Sequence, residues 1–397
     1  MKSNHEPYIL KTLSDLGMQT FDVASVQELN AVLKVKPNAN LLFSHPVKSV
    51  KTIAYAFERG VRIFSLDTME ELMKILETTK YALDLQLLIR IDPEVSADDS
   101  VMPLKDKFGI HRQSKNEEEG YVKVIRLARK HAKKVGISFH VGSQVQKLGC
   151  YSKAIEVAAD MAKESGVDID MLDVGGGFPI DYGTSFLEGS KGGKGGEKGG
   201  MIQQQVPSIS IDLLLNEIQE SLKAVGWQNK NLIFEPGRAI SGSCEKTIVK
   251  VEQRRGKTLY INDGIYGNFA DMGPIFNFTY PMSRLTSTTS TQRETNVVSK
   301  SIKSKSVSSV TSDISASETS SSISTNSKED EEIEIMEEFS FYGATCDSAD
   351  YMKGPYKLPA NIKTDDWIVV HQSGAYSSVL TSDFNGFNSG YVVVVDN

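Results

Sequence analysis

Short apolar runs alternate with longer amphipathic stretches over the first 240 residues of the chain. The short runs are rich in β-branched and aromatic residues, whereas the longer ones repeat apolar positions at helical spacing. Seven runs predict strands: 20–25, 41–46, 62–67, 85–91, 136–143, 171–177 and 232–238. This alternation is typical of βα units around a parallel sheet, so the sequence predicts an α/β fold.

The number and regular spacing of these units favour a closed (β/α)8 barrel over a doubly wound sheet. Eight strands close such a barrel, and the opening helix, expected at 6–17, needs a strand before it that this sequence does not contain. The pattern therefore predicts a barrel whose first strand is missing, with Lys2 at the place where that strand would end.

After residue 240 the pattern changes to β-rich segments with no helix between them. The predicted strands lie at 246–255, 257–263, 338–345, 365–372 and 390–397. These segments predict an antiparallel β domain over 241–397, which follows a barrel domain over 1–240.

Two segments differ in composition from the rest of the chain. Residues 187–200 are rich in glycine and lysine, and 24 of the 42 residues from Thr286 to Ser327 are serine or threonine. Too few apolar groups are present to offset the entropy of ordering either segment. We therefore expect disordered insertions at 187–200 in the barrel and at 286–338 in the β domain.

Charge and cysteine content narrow the class of protein. The net charge of -7 equals the number of acidic residues in one run, 329–338, and no basic tract is dense enough to follow a nucleic acid backbone. Three widely spaced cysteines form neither a disulfide framework nor a metal-binding or redox pair. No signal peptide and no apolar run of membrane-spanning length is present. These features predict a cytoplasmic protein that binds neither nucleic acid nor membrane.

In a parallel barrel the functional site lies where the strands end, so the polar residues at those ends are informative. They are Asp22, His45, Asp67, Arg90, His140, Ser143, Gly175 to Gly177, Glu235 and Arg238. The glycines suit a phosphate that lies close to backbone N–H groups, although such a triplet is also common in tight turns. Taken singly, His140 fits a core histidine and Glu235 with Arg238 fits a surface ion pair. Their joint position on successive strand ends favours a common site.

Several motifs occur in the order and spacing of one enzyme family. They are KSN (2–4), FDVAS (21–25), KFG (107–109), SFHVGS (138–143), LDVGGGFP (172–179), EPGR (235–238), NDGIYGNF (262–269), TCDSAD (345–350) and GAY (374–376). In these motifs the chain resembles the eukaryotic-type ornithine decarboxylases, which are fold-type III pyridoxal phosphate decarboxylases. The resemblance spans nearly the whole chain outside the two insertions. It implies an alanine-racemase-like barrel followed by a β domain, and pyridoxal phosphate as the cofactor.

The resemblance also implies roles for individual residues. Lys2 matches the lysine that bonds covalently to the cofactor, Glu235 the partner of the pyridine nitrogen, and His140 the residue that stacks on the ring. The phosphate would be held by Ser143, Gly177, Gly237, Arg238 and Tyr376. Asp22 and Glu28 match acidic positions near the lysine. Cys346 matches the residue that protonates the product, and Asp347 an acid that holds the substrate's distal ammonium; in the family both reach the site from the partner subunit of a homodimer.

Two positions depart from the family pattern. Where the family has a tyrosine and an aspartate that grips the distal amine of the substrate, this chain has Pro274 and Ile275, and Asp271 is the nearest acid. The strand before the lysine is also missing. Three functions therefore stay open: a decarboxylase of L-ornithine to putrescine, an inactive homologue that binds antizyme, and a decarboxylase of lysine, arginine or diaminopimelate.

Overall fold

The fold is known from a computed structural model of the whole chain. It describes residues 1–95, 100–102, 107–116, 120–182, 185–187, 202–204, 209–285, 334–387 and 390–395. The predicted insertions at 187–200 and 286–338 lie mostly outside these residues, since 188–200 and 286–333 are not described.

The N-terminal half of the chain builds a parallel sheet of seven strands, and all seven predicted strands are confirmed. They are β1 (Thr20–Val23), β2 (Asn40–Phe43), β3 (Ile63–Leu66), β4 (Gln86–Arg90), β6 (Lys134–Ser138), β8 (Met171–Asp173) and β11 (Asn231–Ile233). Each strand pairs with the next in the order β1-β2-β3-β4-β6-β8-β11. No pairing joins β11 to β1 among the described residues, so the sheet curls as an open barrel.

Helices connect these strands and cover the outer face of the sheet. They are α1 (Pro7–Asp15), α2 (Val26–Val35), α3 (Val50–Glu58), α4 (Met69–Thr78), α5 (Tyr121–His131), α6 (Cys150–Ser165), α7 (Ile211–Ala224) and α8 (Arg238–Ser241). At the starts of α2, α3, α4 and α7 a serine or threonine hydroxyl accepts a hydrogen bond from a backbone N–H. Such caps satisfy donors that the first turn leaves unpaired.

The two faces of the barrel strands differ in chemistry. Side chains that point outward are apolar and pack against the helices in the main core, as Phe43, Leu87 and Ile137 do. Inward-pointing residues near the strand starts form a small apolar cluster of Leu42, Leu88 and Met171. Because side chains alternate between the faces, the next inward positions on β4, β6 and β8 form a second layer, which consists of the polar residues Arg90, Ser138 and Asp173. The polar layer is therefore the floor of a cleft at the carboxyl end of the barrel.

Four short strands lie outside the barrel sheet. β5 (Ser100–Met102) pairs antiparallel with β7 (Ser143–Val145), and β9 (Ser185–Leu187) pairs antiparallel with β10 (Ile202–Gln204). The first pair brings Ser143 next to Met102 at the carboxyl end of the barrel strands.

The C-terminal domain is a six-stranded sheet that is mixed, not wholly antiparallel as expected. Its strands are β12 (Thr247–Arg255), β13 (Thr258–Ile261), β14 (Met282–Arg284), β15 (Met336–Tyr342), β16 (Tyr351–Pro359) and β17 (Trp367–Val370), in the order β14-β17-β12-β13-β15-β16. β13 and β15 pair in parallel, whereas the other neighbours are antiparallel.

The strand predictions for this domain differ from the structure in several places, and β14 was not among the predicted strands. β15 begins at Met336, so the end of the acidic run forms a strand and is not part of an insertion that reaches 338. β16 was missed because Gly354 and Pro355 indicate a break in a strand. The segment 391–395 forms no strand, and its tyrosine and four valines are exposed to solvent. Within the part of the chain that the structure describes, no helix is long and apolar enough to cross a membrane.

Candidate active site

Polar residues from three adjacent strands lie side by side at the floor of the cleft. Arg90 at the end of β4 is the register partner of Ser138 on β6, and Ser138 is the partner of Asp173 on β8. The Ser138 hydroxyl is buried without a hydrogen-bond partner among the described residues. A buried polar group without a partner costs free energy. This row therefore has the character of a binding site and not of a packed core.

The glycine triplet after β8 runs between two of the predicted site residues. A Cβ on Gly176 would lie 2.7 Å from the Glu235 carbonyl oxygen and 3.1 Å from Nε2 of His140. A Cβ on Gly175 would lie 2.3 Å from the Phe139 carbonyl oxygen, and Gly175 has a φ of 67°. These short distances leave no room for a side chain at either glycine, and they allow the His140 and Glu235 loops to lie close together.

Replacing Gly176 with alanine tests this packing. We expect Gly176→Ala to weaken pyridoxal phosphate binding by roughly 10-fold or more, because the added methyl group must displace the His140 ring or the Glu235 backbone. Fluorescence titration with the cofactor measures the effect. Gly390→Ala is the control, since nothing lies within 4 Å of a Cβ there; equal affinities of the two variants would contradict the prediction.

His140 is held as a neutral imidazole. Its Nδ1 atom accepts a hydrogen bond from the backbone N–H of Gly142 at 3.0 Å, so Nδ1 carries no proton. Burial lowers the pKa of His140 well below the usual value, and the charges of Arg90 and Lys2 lower it further. A neutral, fixed ring suits stacking against a flat aromatic group.

Within the described part of the chain, the carboxyl group of Glu235 lacks a hydrogen bond to one of its oxygens. Its Oε1 atom has no hydrogen-bond partner among the described residues. Burial raises the pKa of Glu235 well above its usual value, as do the neighbouring Asp173 and Asp22, whereas Arg90 and Lys2 oppose the rise. An unpaired buried carboxyl group is a place for a cationic N–H donor, which would supply both the missing bond and the missing charge.

The first residues of the chain are held between the barrel and the β domain. The Met1 amino group donates to the Asp22 carbonyl oxygen at 3.3 Å, and the backbone N–H of Tyr376 donates to the Ser3 carbonyl oxygen at 2.8 Å. A Cβ on Gly237 would lie 3.1 Å from the Ser3 Cβ atom and 3.2 Å from the Tyr376 hydroxyl. Lys2 is exposed between these anchored neighbours, and its charge lowers the pKa of both His140 and Glu235. Lys2, Gly237 and Tyr376 therefore belong to the same cleft.

Arg238 forms a buried ion pair with an acidic residue of the β domain. Its guanidinium is buried, donates to Oδ2 of Asp271 at 2.8 Å and lies 4.9 Å from the centre of the Tyr376 ring. The side chain thus lies between the Asp271 carboxylate and the Tyr376 ring. Asp271 is engaged in this ion pair, so it is not free to bind a substrate ammonium as its sequence position suggested.

The other predicted residues of the barrel lie around the same cleft with distinct neighbours. The Asp22 carboxylate accepts a hydrogen bond from the Ser44 hydroxyl. A Cβ on Gly177 would lie 2.5 Å from the Gly142 carbonyl oxygen, which places Gly177 beside the loop that leads to Ser143. Glu28 instead accepts from the backbone N–H of Ala24 at 2.5 Å, as part of the N-terminal cap of α2. Glu28 therefore has a structural role in this chain.

Cys346 and Asp347 lie on a loop of the β domain. Asp347 accepts hydrogen bonds from the Tyr266 hydroxyl and, at 2.9 Å, from the backbone N–H of Ala349, and these bonds lower its pKa. The backbone N–H of Cys346 donates to Oδ1 of Asn385 at 3.3 Å, and the Cys346 side chain is exposed. Among the described residues no hydrogen bond, ion pair or ring contact joins either side chain to the barrel residues of the cleft.

The sequence-based roles left out two residues that the structure places at the centre of the cleft. Arg90 and Asp173 lie in one row with Ser138, and the Arg90 charge lowers the pKa of His140, Asp173 and Glu235. Arg90 was among the polar residues expected at strand ends, whereas Asp173 was present only as the first residue of the motif DVGGG. The signal was therefore present, but a single strand-end position does not reveal its neighbours on other strands.

Comparison with protein families assigns both domains. Residues 1–242 match the family described as pyridoxal-dependent decarboxylase, pyridoxal binding domain. The chain belongs to this family. Residues 242–374 match the description pyridoxal-dependent decarboxylase, C-terminal sheet domain. The protein is thus a pyridoxal phosphate-dependent carboxy-lyase, and the predicted cofactor and family resemblance are confirmed.

Individual relatives agree with this family membership. The chain is 25% identical over 407 residues to an ornithine decarboxylase from Schizosaccharomyces pombe, a match that covers 100% of this chain and 77% of the relative. The fold is similar to the arginine decarboxylase of Paramecium bursaria Chlorella virus bound to agmatine, with a TM-score of 0.69, 22% identity and coverage of 97% and 85% of the two chains. It is also similar to a lysine/ornithine decarboxylase from Vibrio vulnificus complexed with putrescine, with a TM-score of 0.66, 24% identity and coverage of 98% and 84%.

The cleft residues fit pyridoxal phosphate. The unpaired Oε1 of Glu235 suits a protonated pyridine nitrogen, and the neutral ring of His140 suits a ring face. Gly177 and Gly237 leave room for a phosphate close to the backbone. The Oε1 atom of Glu235 is the strongest evidence for this fit, because no described residue donates a hydrogen bond to it.

Proposed function

We propose that this protein decarboxylates L-ornithine to putrescine and CO2, as a homodimer with active sites shared between subunits. Membership of the decarboxylase family and the relative named ornithine decarboxylase support the substrate. The motifs TCDSAD and GAY, which the chain shares with ornithine decarboxylases, support the site composition.

The residues of the cleft would divide the work as follows. Lys2 would attach the cofactor, Glu235 would hold the proton on its ring nitrogen, and His140 would fix the plane of the ring. When bound, pyridoxal phosphate supplies an electron sink for the electron pair that CO2 leaves behind. The Cys346 thiol donates a proton to the α-carbon of the substrate, and the Asp347 carboxylate pairs with the substrate's distal ammonium. Ser143, Gly177, Gly237 and Tyr376 would hold the phosphate, and Arg238 would support Tyr376 through its contact with the tyrosine ring.

A panel of carboxyl-labelled amino acids tests the substrate. We expect the loaded protein to release labelled CO2 from ornithine with a kcat/KM at least about 10-fold above that for lysine, arginine or diaminopimelate, because substrates are distinguished by the fit of their distal group. A higher kcat/KM for one of the other three would make that amino acid the substrate. Cofactor loading without CO2 release from any of the four would instead favour the antizyme-binding homologue.

One observation favours the second candidate, a decarboxylase of lysine, arginine or diaminopimelate. Asp271 is bonded to Arg238, and Pro274 and the exposed Ile275 stand where the family has its tyrosine and aspartate. Asp347 is then the one acid assigned to the distal amine. Fewer carboxylates at that end change which length and charge of side chain binds best.

Sites shared between subunits predict that two inactive variants complement each other in mixed dimers. Lys2→Ala and Cys346→Ala are each expected to be inactive alone, whereas a mixture should regain up to about a quarter of the wild-type activity, because half of the dimers are hybrids and each hybrid has one intact site. Activity after mixing and re-equilibration measures this. The separation of Cys346 from the barrel residues within one chain is the reason for the expectation. No recovery, with hybrids demonstrated by native mass spectrometry, would contradict shared sites.

A further inference from the structure

Asp173 and Glu235 lie at, or just beyond, the ends of the neighbouring strands β8 and β11. Asp173 is the last residue of β8, and its register partner on β11 is Ile233. Glu235 follows Ile233 by two residues, which returns its side chain to the inner face. The two carboxyl groups thus meet at the cleft floor.

One glycine ties both residues in place. The backbone N–H of Gly175 donates to Oδ1 of Asp173 at 2.9 Å, and the Gly175 carbonyl oxygen accepts from the backbone N–H of Glu235 at 2.9 Å. Asp173 is 2% exposed, and Oε1 of Glu235 is buried without a partner among the described residues. Asp173 and the Oε1 atom of Glu235 are therefore both shielded from solvent.

The charges around this pair are mixed and do not neutralise two carboxylates. Burial raises the pKa of both acids, and each is raised further by Asp22. Arg90 lowers both pKa values, a hydrogen bond with Glu235 lowers that of Asp173, and Lys2 lowers that of Glu235. His140 contributes no cation, because its Nδ1 accepts from Gly142. Two neighbouring carboxyl groups in such a buried site cannot both be ionised.

We propose that Asp173 and Glu235 share one proton in the cofactor-free protein, and that Asp173 is a positioning residue that takes this proton when the cationic ring nitrogen arrives. The O–H bond of Glu235 breaks, an O–H bond forms on Asp173, and the pair keeps a charge of -1 throughout. Glu235 then faces the ring as a carboxylate. The inference rests on the role proposed for Glu235 and is independent of which amino acid is the substrate.

The pH dependence of unfolding of the cofactor-free protein tests the pair. Acids whose pKa is raised on folding stabilise the native state at low pH, and this stabilisation is lost as the pH rises through the folded pKa. We expect the Tm of the wild type to fall between pH 5 and pH 8 more steeply than that of Asp173→Asn. At pH 8 the variant should unfold about 2 °C or more above the wild type, whereas at pH 5 the difference should shrink.

Two further variants make the result decisive. Glu235→Gln removes the same shared proton from the other side, so it should flatten the pH profile as Asp173→Asn does, and it replaces Asp173→Asn if that variant fails to fold. Asp168→Asn, whose side chain is 88% exposed and pairs with Lys230, should follow the wild-type profile. Parallel profiles for the wild type and both pair variants would overturn the proposal.

Discussion

Replacing Lys2 with alanine is expected to abolish decarboxylation, with a loss of roughly 10³-fold or more in kcat, because the nucleophilic amine that attaches the cofactor is gone. The fold should be unaffected. The Lys2 side chain is exposed, and the bonds that anchor this segment come from the Met1 amino group and the Ser3 backbone. Labelled CO2 release and the Tm are the two measurements.

Lys11→Ala is the matched control for Lys2→Ala. Lys11 lies in α1, its side chain is 69% exposed, and the side chain of its partner Asp15 is 62% exposed. Its removal should leave kcat unchanged. More than about a tenth of the wild-type activity in Lys2→Ala would contradict the assignment, since nucleophile removal leaves only the small background that binding supplies.

Lys48 is a second lysine near the strand ends, and its pKa is shifted. Burial lowers its pKa to about 8, which is a property of reactive lysines. Its ammonium, however, donates to the carbonyl oxygens of His45 and Ser65 and forms a salt bridge with Glu71 at 3.0 Å. A cation held by this many acceptors stabilises the loop after β2 and is not available as a nucleophile.

Removing the carboxylate of Asp271 is expected to give the largest loss of stability. Arg238 and Asp271 form a buried pair at 2.8 Å, with side chains that are 2% and 8% exposed. Asp271→Ala leaves the guanidinium buried without its counter-charge, and breaking such pairs costs about 3–5 kcal/mol. The Tyr376 ring stacks on the same guanidinium, so cofactor affinity should fall together with stability. Urea unfolding and cofactor titration measure the two effects.

Two controls separate the burial of this pair from the loss of charge alone. Asp15→Ala breaks the exposed pair with Lys11 and should leave the free energy of unfolding unchanged within error. The double variant Arg238→Met, Asp271→Leu should recover most of the lost stability, because replacing both partners removes the unpaired charge. A loss below about 1 kcal/mol in Asp271→Ala would contradict a buried, dehydrated pair.

The barrel domain could be predicted because its signals are local. Each strand is a short apolar run and each helix an amphipathic stretch, and four helices start at a serine or threonine cap. The β domain was harder. The tail at 391–395 has strong strand propensity but lies exposed without a pairing partner among the described residues, and propensity does not supply a partner.

The cleft could be predicted in part. The family motifs predicted one common site for six residues: Lys2, His140, Gly177, Glu235, Gly237 and Tyr376. The direction of a long side chain could not be predicted in this way. The Arg238 guanidinium pairs with Asp271, an acid 33 residues later that offers it a buried carboxylate. The pairing of Asp173 with Glu235 likewise depends on the register of β8 and β11, which is a property of the assembled sheet.

The central claim is that this cleft, with Lys2 at its edge, holds the cofactor of a decarboxylase. The most direct test is to load the protein with pyridoxal phosphate, reduce it with borohydride, digest it and locate the modified lysine by mass spectrometry. We expect the added mass on the N-terminal peptide that contains Lys2, and none on that peptide in Lys2→Ala. Modification of Lys48 or another lysine in place of Lys2, or no covalent attachment at all, would contradict the assignment.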